Sequence, residues 1–231
     1  MWQPMANKKY MMAKSRIDFL LSAVILLVAL PVMLLITIVL TIILRSFPVI
    51  IQKRGLTEAN QVFKIYKFKT IKANSPNQTN KGNIFFKSDL SQYVPTFCKW
   101  LRKTGLDELP QIFNVLMGEM SLVGPRPFTI NDLEILKNKY PKYYRARNII
   151  TTKPGITGMW QVFGNRNEGI QNLLDHDLYY NEQASLWVDL RILFGTVFLI
   201  SSGKHTDAIF PSVYDGKEFK TLSNTQTLTN Y

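Results

Sequence analysis

The sequence has one cysteine, Cys98, and two histidines. An internal disulfide is thereby excluded, and no Cys/His cluster has the spacing of a zinc site. Cys98 reads as a small buried apolar group, which suits a cytosol-facing protein. Acids are scarce as well: 16 against 28 lysines and arginines, for a net charge of +12 and a pI near 9.7. Such a surface selects polyanions, whether phosphorylated substrates, anionic membrane lipid or nucleic acid. Nucleic acid is set aside, because no finger, helix-turn-helix or RNA-binding aromatic motif occurs. Internal repeats are also absent.

Charge itself is missing from one long stretch, "FLLSAVILLVALPVMLLITIVLTIIL", Phe19 to Leu44. Its length, about 26 residues, exceeds the ~20 that a helix needs to cross the hydrocarbon core. It is too long for a signal-peptide apolar region and no small-residue cleavage site follows, so this is a membrane segment. Lys8, Lys9, Lys14 and Arg16 precede it and Arg45, Lys53 and Arg54 follow. Each flank has the composition of a cytoplasmic side. Pro31 sits near the middle, where it removes a helical hydrogen bond and clashes with the carbonyl four residues back. A bend there would let both halves use one membrane face, while a straight span with a tolerated kink satisfies the same residues. Asp18, beside Arg16, reads as a helix N-terminal charge or an ion pair with that arginine.

In the soluble part, Val49–Gln52 and Val62–Phe68 read as short strands of a hairpin with Gly55 in the turn between them. Lys67 and Lys69 share one strand face. Lys53 to Lys72 holds about six basic residues against one acid, Glu58, so a solvated strand face or a lipid-binding patch explains it as readily as a substrate site. "KANSPNQTNKGN", Lys72–Asn83, is a polar loop. Tyr93–Lys103 and Leu109–Met117 have helical spacing, broken at Thr104-Gly105. Pro110 fits only the first turn of the second helix. That places Asp107 near its N-cap and both Asp107 and Glu108 at its positive end.

Further on, Gly124 permits an unusual turn, and Pro125 and Pro127 stiffen the backbone around Arg126, which suits a bidentate grip on phosphate or a plain rigid turn. "KPGITGMWQVFGNRN", from Lys153, reads as a constrained loop over a site or an interface. "SLWVDLRILFGTVFLI", Ser185–Ile200, reads as a mostly apolar helix that is either core or interfacial. The tail from Lys217 is polar.

An acid pair ahead of a helix is ordinarily an N-cap and a favourable first-turn charge. Here Arg102 lies upstream, Arg126 downstream, and a lysine-bearing strand is available. Carboxylates among cations beside a membrane make a site for phosphate chemistry with a divalent metal. Mg²⁺ takes one or two carboxylates and fills its shell with phosphate oxygens and water. One carboxylate is then available as a covalent nucleophile on phosphorus while its neighbour holds the metal.

The basic-flanked apolar segment with Asp18 and a central proline, "KIYKFKT", "LRKTGLDELPQIFNVLMGEMSLVGPRP", "KPGITG" and "LYYNEQASLWVDLRIL" occur in an order that resembles the bacterial sugar transferases, the monotopic phosphoglycosyl transferases. The resemblance runs from about Lys14 to Gly203 and rests on order and spacing. It implies a mixed α/β, mostly helical fold: a re-entrant helix–break–helix over 1–48 with Pro31 at the break, a catalytic domain over 49–210 with a short hairpin and interfacial amphipathic helices, and a polar tail over 211–231. It implies a bacterial inner-membrane protein facing the cytoplasm. Its substrates would be a UDP-sugar and a polyprenyl (undecaprenyl) phosphate, giving a polyprenyl-diphosphate sugar and UMP at the first membrane step of a surface polysaccharide or glycoconjugate.

By position, Asp107 resembles the family nucleophile and Glu108 the Mg²⁺ ligand. Arg102, Arg126, Lys67 and Lys69 match groups around the substrate phosphates, and Asp177 matches an acid of structural or substrate role. The departures are Leu30 before the proline, where serine is usual, the altered "GMWQVFG", and the differently spaced "RARNIITTK". The chain resembles a minimal catalytic form. Anionic lipid is an expected partner, and a homodimer is left open, as are the sugar and the pathway. The alternatives are a membrane phosphohydrolase, an ordinary glycosyltransferase releasing UDP, or a non-enzymatic polyanion- or lipid-binding module.

Overall fold

A computed structural model describes residues 8–57, 62–72, 93–165 and 168–201. All but the first residue of the polar loop Lys72–Asn83, and the tail 211–231, lie outside them. The first element, α1 (Lys8–Leu44), is a helix of 37 residues, about 55 Å at 1.5 Å per residue. It is long and apolar enough to cross a membrane. The expected break at Pro31 is not seen: the helix runs on through it without interruption, since the proline deletes one backbone bond while the flanking turns stay closed.

One stripe of α1 is buried from end to end. Lys14, Asp18, Ser22, Met33, Ile36, Leu40 and Leu44 are buried, and Leu26 and Ala29 pack between them. These positions fall three or four apart, as one helical face requires. The opposite face exposes Leu20, Leu27, Val28, Leu35 and Ile42. Asp18 does not pair with Arg16, which is exposed. Its carboxylate lies 3.6 Å from Lys14 Nζ and 2.5 Å from Ser121 Oγ, because a residue four away shares its helix face and one two away does not.

The chain then forms β1 (Val49–Gly55), β2 (Phe63–Phe68), α2 (Thr96–Thr104), a 3₁₀ turn (Leu106–Gln111) and α3 (Ile112–Leu116). After these come β3 (Ser121–Val123), β4 (Phe128–Thr129), α4 (Ile130–Lys139), α5 (Pro141–Arg147), β5 (Gly155–Thr157), α6 (Met159–Phe163), α7 (Gly169–Gln183) and α8 (Leu186–Ser201). The expected hairpin is present but belongs to an antiparallel three-stranded sheet, ordered β2-β1-β4. Gly55 is no turn residue. It ends β1, opposite Phe128. β3 and β5 form a separate parallel pair.

Three apolar clusters hold these elements. One joins β2, β3, α6, α7 and α8 through Ile65, Met120, Val123, Met159, Tyr180 and Ile192. The second fastens α1 to β2 and α2 through Ile36, Leu40, Phe68, Cys98 and Leu101, with Cys98 wholly buried as its type suggests. The third joins β4, α4, α6 and α7 through Phe128, Leu136, Trp160 and Leu173. β2 gives Ile65 to the first and Phe68 to the second, so both its faces are covered. Helix α8 has a buried side, with Asp189, Ile192 and Leu199, and an exposed apolar side, with Trp187, Leu190, Phe194 and Phe198.

Candidate active site

Helix α2 begins after Pro95, buries Cys98 and Leu101, and carries Arg102 and Lys103 in its last turn, where they complement the helix dipole. Gly105, at φ 73°, ends it in the left-handed conformation that glycine adopts freely. The chain turns at once into the 3₁₀ segment, so Gly105, not Asp107, holds the N-cap position. Asp107 and Glu108 stand inside the first turn, with Glu108 N–H bonded to Gly105 O at 3.0 Å. The α-helix that follows has only five residues. The expected long helix mouth is therefore replaced by a tight turn, and side chains rather than a macrodipole set the local field.

The two acids are treated differently. Glu108 is gripped by Lys67 of β2 in a largely buried ion pair. Asp107 makes no side-chain ion pair among the described residues, and burial, then the charge of Glu108, push it up to about 6 against the pull of Lys67 and Arg102. Asn114 of α3 keeps strand and turn in register: its amide donates to Lys64 O at 2.6 Å and to Glu119 at 2.7 Å, and its carbonyl accepts Tyr66 N–H at 3.2 Å. Lys69 points elsewhere, to Ser46 Oγ at 3.1 Å beyond the end of α1.

Arg126 sits on the Gly124–Pro127 loop. Gly124 has no left-handed φ. It is needed because a Cβ there would lie 2.2 Å from Lys153 O and 2.8 Å from Gly155 N, so the "KPGITG" backbone crosses it directly. Two bonds pin the crossing, Gly124 N–H to Thr157 O at 2.9 Å and Gly155 N–H to Pro125 O at 3.0 Å. Behind the loop, Asp177 accepts Arg126 N–H at 3.4 Å and Arg147 at 2.6 Å, while Arg147 also donates to Arg126 O at 2.8 Å and Leu56 O at 3.1 Å. The Arg147–Asp177 pair is fully buried. Asp177 thus holds the Arg126 peptide from behind, and the Arg126 guanidinium lies over Trp160, 5.7 Å from the ring centre.

The arrangement brings together Lys67, Arg102, Asp107 and Glu108, with Arg126 approaching from a second loop. Arg54, Asn114, Arg147 and Trp160 also lie at the site: Trp160 belongs to the loop from Lys153 that reads as covering a site or an interface, while the other three carry no individual signal of it in the sequence. Arg54 and Arg147 each look like one more surface cation in a basic run, and only burial separates them from the rest. As for a metal, no group of three or more His, Cys, Asp or Glu side chains gathers among the described residues. Two adjacent carboxylates do not make a dedicated cage. They do fit Mg²⁺, which brings phosphate oxygens and water as most of its shell.

The bacterial sugar transferase family model matches residues 9–203. An undecaprenyl-phosphate galactose phosphotransferase of Salmonella typhimurium is 32% identical over 85% of this chain and 42% of its own. An uncharacterised sugar transferase of Haemophilus influenzae is 38% identical over 61% of this chain and 31% of its own. An exopolysaccharide production protein, ExoY, of Rhizobium meliloti is 32% identical over 80% of this chain and 84% of its own. Against the first two of these curated relatives, the match spans about a third to two fifths of their length. With nearly all of its described residues inside the family match, this chain belongs to the bacterial sugar transferases.

Proposed function

We propose that the chain transfers a sugar 1-phosphate from a UDP-sugar to a polyprenyl phosphate such as undecaprenyl phosphate, releasing UMP. Relatives named as undecaprenyl-phosphate galactose and glucose-1-phosphate transferases support the substrate classes. The observation that carries the reaction is the contrast between neighbours: Glu108 is engaged by Lys67, whereas Asp107 has no such partner among the described residues and lies in the field of Lys67 and Arg102.

In the proposed chemistry an Asp107 carboxylate oxygen attacks the β-phosphorus. The new O–P bond forms as the bond from that phosphorus to the bridging oxygen breaks, and UMP leaves with the bridging oxygen and its electron pair. An oxygen of the polyprenyl phosphate then attacks the same phosphorus, displaces Asp107 and restores its carboxylate, leaving a polyprenyl-diphosphate sugar. Lys67, Arg102 and Arg126 hold and neutralise phosphate oxygens. Glu108 would hold Mg²⁺, which supplies further charge neutralisation at the diphosphate. Asp177 acts behind Arg126 and touches no reacting atom.

We further propose that α1 enters and leaves the membrane by the same, cytoplasmic face of the bacterial inner membrane. Its buried stripe supports this. Tyr10 and Lys14 near one end bond Asp189 at 2.8 Å each, and Leu40 and Leu44 near the other pack with Cys98 and Leu101. Both ends are tied to one body that also carries the polar site. The product's place is the first lipid-linked step of a surface polysaccharide or glycoconjugate, in keeping with the ExoY relatives.

The test is nucleotide release from nanodisc-held protein given undecaprenyl phosphate, Mg²⁺ and a panel of UDP-sugars. UMP with one sugar, abolished by Asp107→Asn and by chelator, is the expected result. UDP in its place would remove the covalent role of Asp107 and leave an ordinary glycosyltransferase.

A further inference from the structure

Arg54 lies on the central strand β1, opposite Thr129 of β4, and is only 8% exposed. A buried guanidinium ordinarily faces a carboxylate, since an unpaired charge away from water is costly. Arg54 has none within ion-pair reach among the described residues. Its Nη1 donates to Pro127 O at 3.4 Å and its Nη2 to Gln52 Oε1 at 3.0 Å. Its Nε–H is buried with no hydrogen-bond partner among the described residues. Orphaned buried donors are rare in folded proteins.

Its surroundings say what the missing partner is. Arg54 holds the carbonyl of Pro127, the residue after Arg126, so it reaches the same loop that Arg147 holds at Arg126 O. Burial and the like charge of Arg126 push Arg54 down to about 10, while Glu108 and Asp132 act the other way. It therefore stays charged at neutral pH, near enough to feel both Glu108 of the turn and Arg126 of the loop. Arg126, in turn, has only the face of Trp160 for its guanidinium among the described residues. Arg54, with its orphaned donor, reaches the loop that carries Arg126, and neither guanidinium is in ion-pair contact with a carboxylate among the described residues.

We infer that Arg54 is a further phosphate-binding residue, forming with Arg126 a two-guanidinium clamp on an anionic oxygen pair of a substrate phosphate. The fork of an arginine presents parallel donors that a phosphate accepts in pairs. The ligand chemistry is a phosphate, carried either by a nucleoside diphosphate or by a polyprenyl phosphate. Naming those carriers rests on the proposed function, whereas the cationic clamp does not.

The experiment measures equilibrium binding to protein in nanodiscs, in an Asp107→Asn background so that nothing turns over. The probes are UDP with Mg²⁺ and, separately, a short-chain polyprenyl phosphate. Arg54→Gln removes the charge, and Arg54→Lys keeps it without the Nε donor. Melting curves without ligand report the fold. We expect at least tenfold weaker binding of one probe in Arg54→Gln, a smaller loss in Arg54→Lys, and little change in the ligand-free melting temperature. The probe affected identifies the carrier. Binding of both probes within twofold of the parent overturns the inference, and so does loss of the folded state in both variants, because Arg54 would then be structural. A parent that binds neither probe overturns the proposed function with it, whereas a parent that binds normally beside normal variants overturns this inference alone.

Discussion

Arg147 and Asp177 meet through Nη1 and Oδ2 at 2.6 Å with no exposed surface on either side chain, and each also holds one end of the Arg126 peptide. A buried pair is a poor source of net stability, but removing one partner strands the other charge. Arg147→Met should therefore cost about 3–5 kcal/mol of folding stability. The double variant Arg147→Met/Asp177→Leu should recover most of that loss by denaturant titration, yet leave UMP release low, because the Arg126 peptide would lose both grips. Full activity in the stable double variant would show that the pair serves the fold alone.

The acid pair gives a pH dependence of stability in chelated, ligand-free protein. Asp107 is raised to about 6 in the folded state. Below its unfolded value both states are protonated and its burial costs nothing. As pH climbs through about 6 the folded state must carry an unfavourable charge, so stability is lost with rising pH. Asp107→Asn lacks this cost. It should match the parent near pH 4 and exceed it by about 1–2 kcal/mol above pH 7, after allowance for solvent screening of a partly exposed group. Melting curves across that range decide it. A constant difference at every pH would remove the charge explanation.

Lys67 pulls Asp107 downward and pairs with Glu108. Lys67→Met should move the window just described to higher pH and cost about 1–3 kcal/mol through the stranded Glu108. An unmoved window would mean that Lys67 is screened from Asp107 in solution. Lys69→Met should leave it in place, because that lysine bonds Ser46.

Membrane topology can be read with single cysteines at exposed Arg16 and Arg45, positions on either side of the apolar run. Native Cys98 is wholly buried and gives little background. Both engineered thiols should react with a membrane-impermeant maleimide only in inverted vesicles. Labelling of the two from opposite sides would establish a crossing helix.

Much of the site is legible in the sequence because its parts are contiguous. Gly105, Asp107, Glu108 and Pro110 fall within one turn, and order along the chain carries that information. Their local geometry is less legible. Gly105 takes the cap position that spacing alone gives to Asp107, since a left-handed glycine ending α2 leaves no room for a separate cap. Gly124 reads as a residue of unusual φ, whereas its real constraint is the backbone of Lys153–Gly155, a neighbour distant in sequence. Gly55 likewise pairs with Phe128 of a strand far down the chain. Arg54 and Arg147 differ from surface cations only in what folds over them, and a single sequence carries no mark of that.

The ties of α1 have a mechanical side. Ser121, which meets Asp18 of the membrane helix, opens the strand that leads into Gly124 and Arg126. With α1 in the bilayer as proposed, bilayer thickness acts on that helix directly, and only the strand Ser121–Val123 separates the contact with Asp18 from the Arg126 loop. On the proposed function, the chain length of the bilayer lipids should therefore enter the kinetics as a change in how well Arg126 meets its anion, without any contact between those bilayer lipids and the reacting atoms. The membrane is, in this sense, one wall of the reaction vessel rather than its floor.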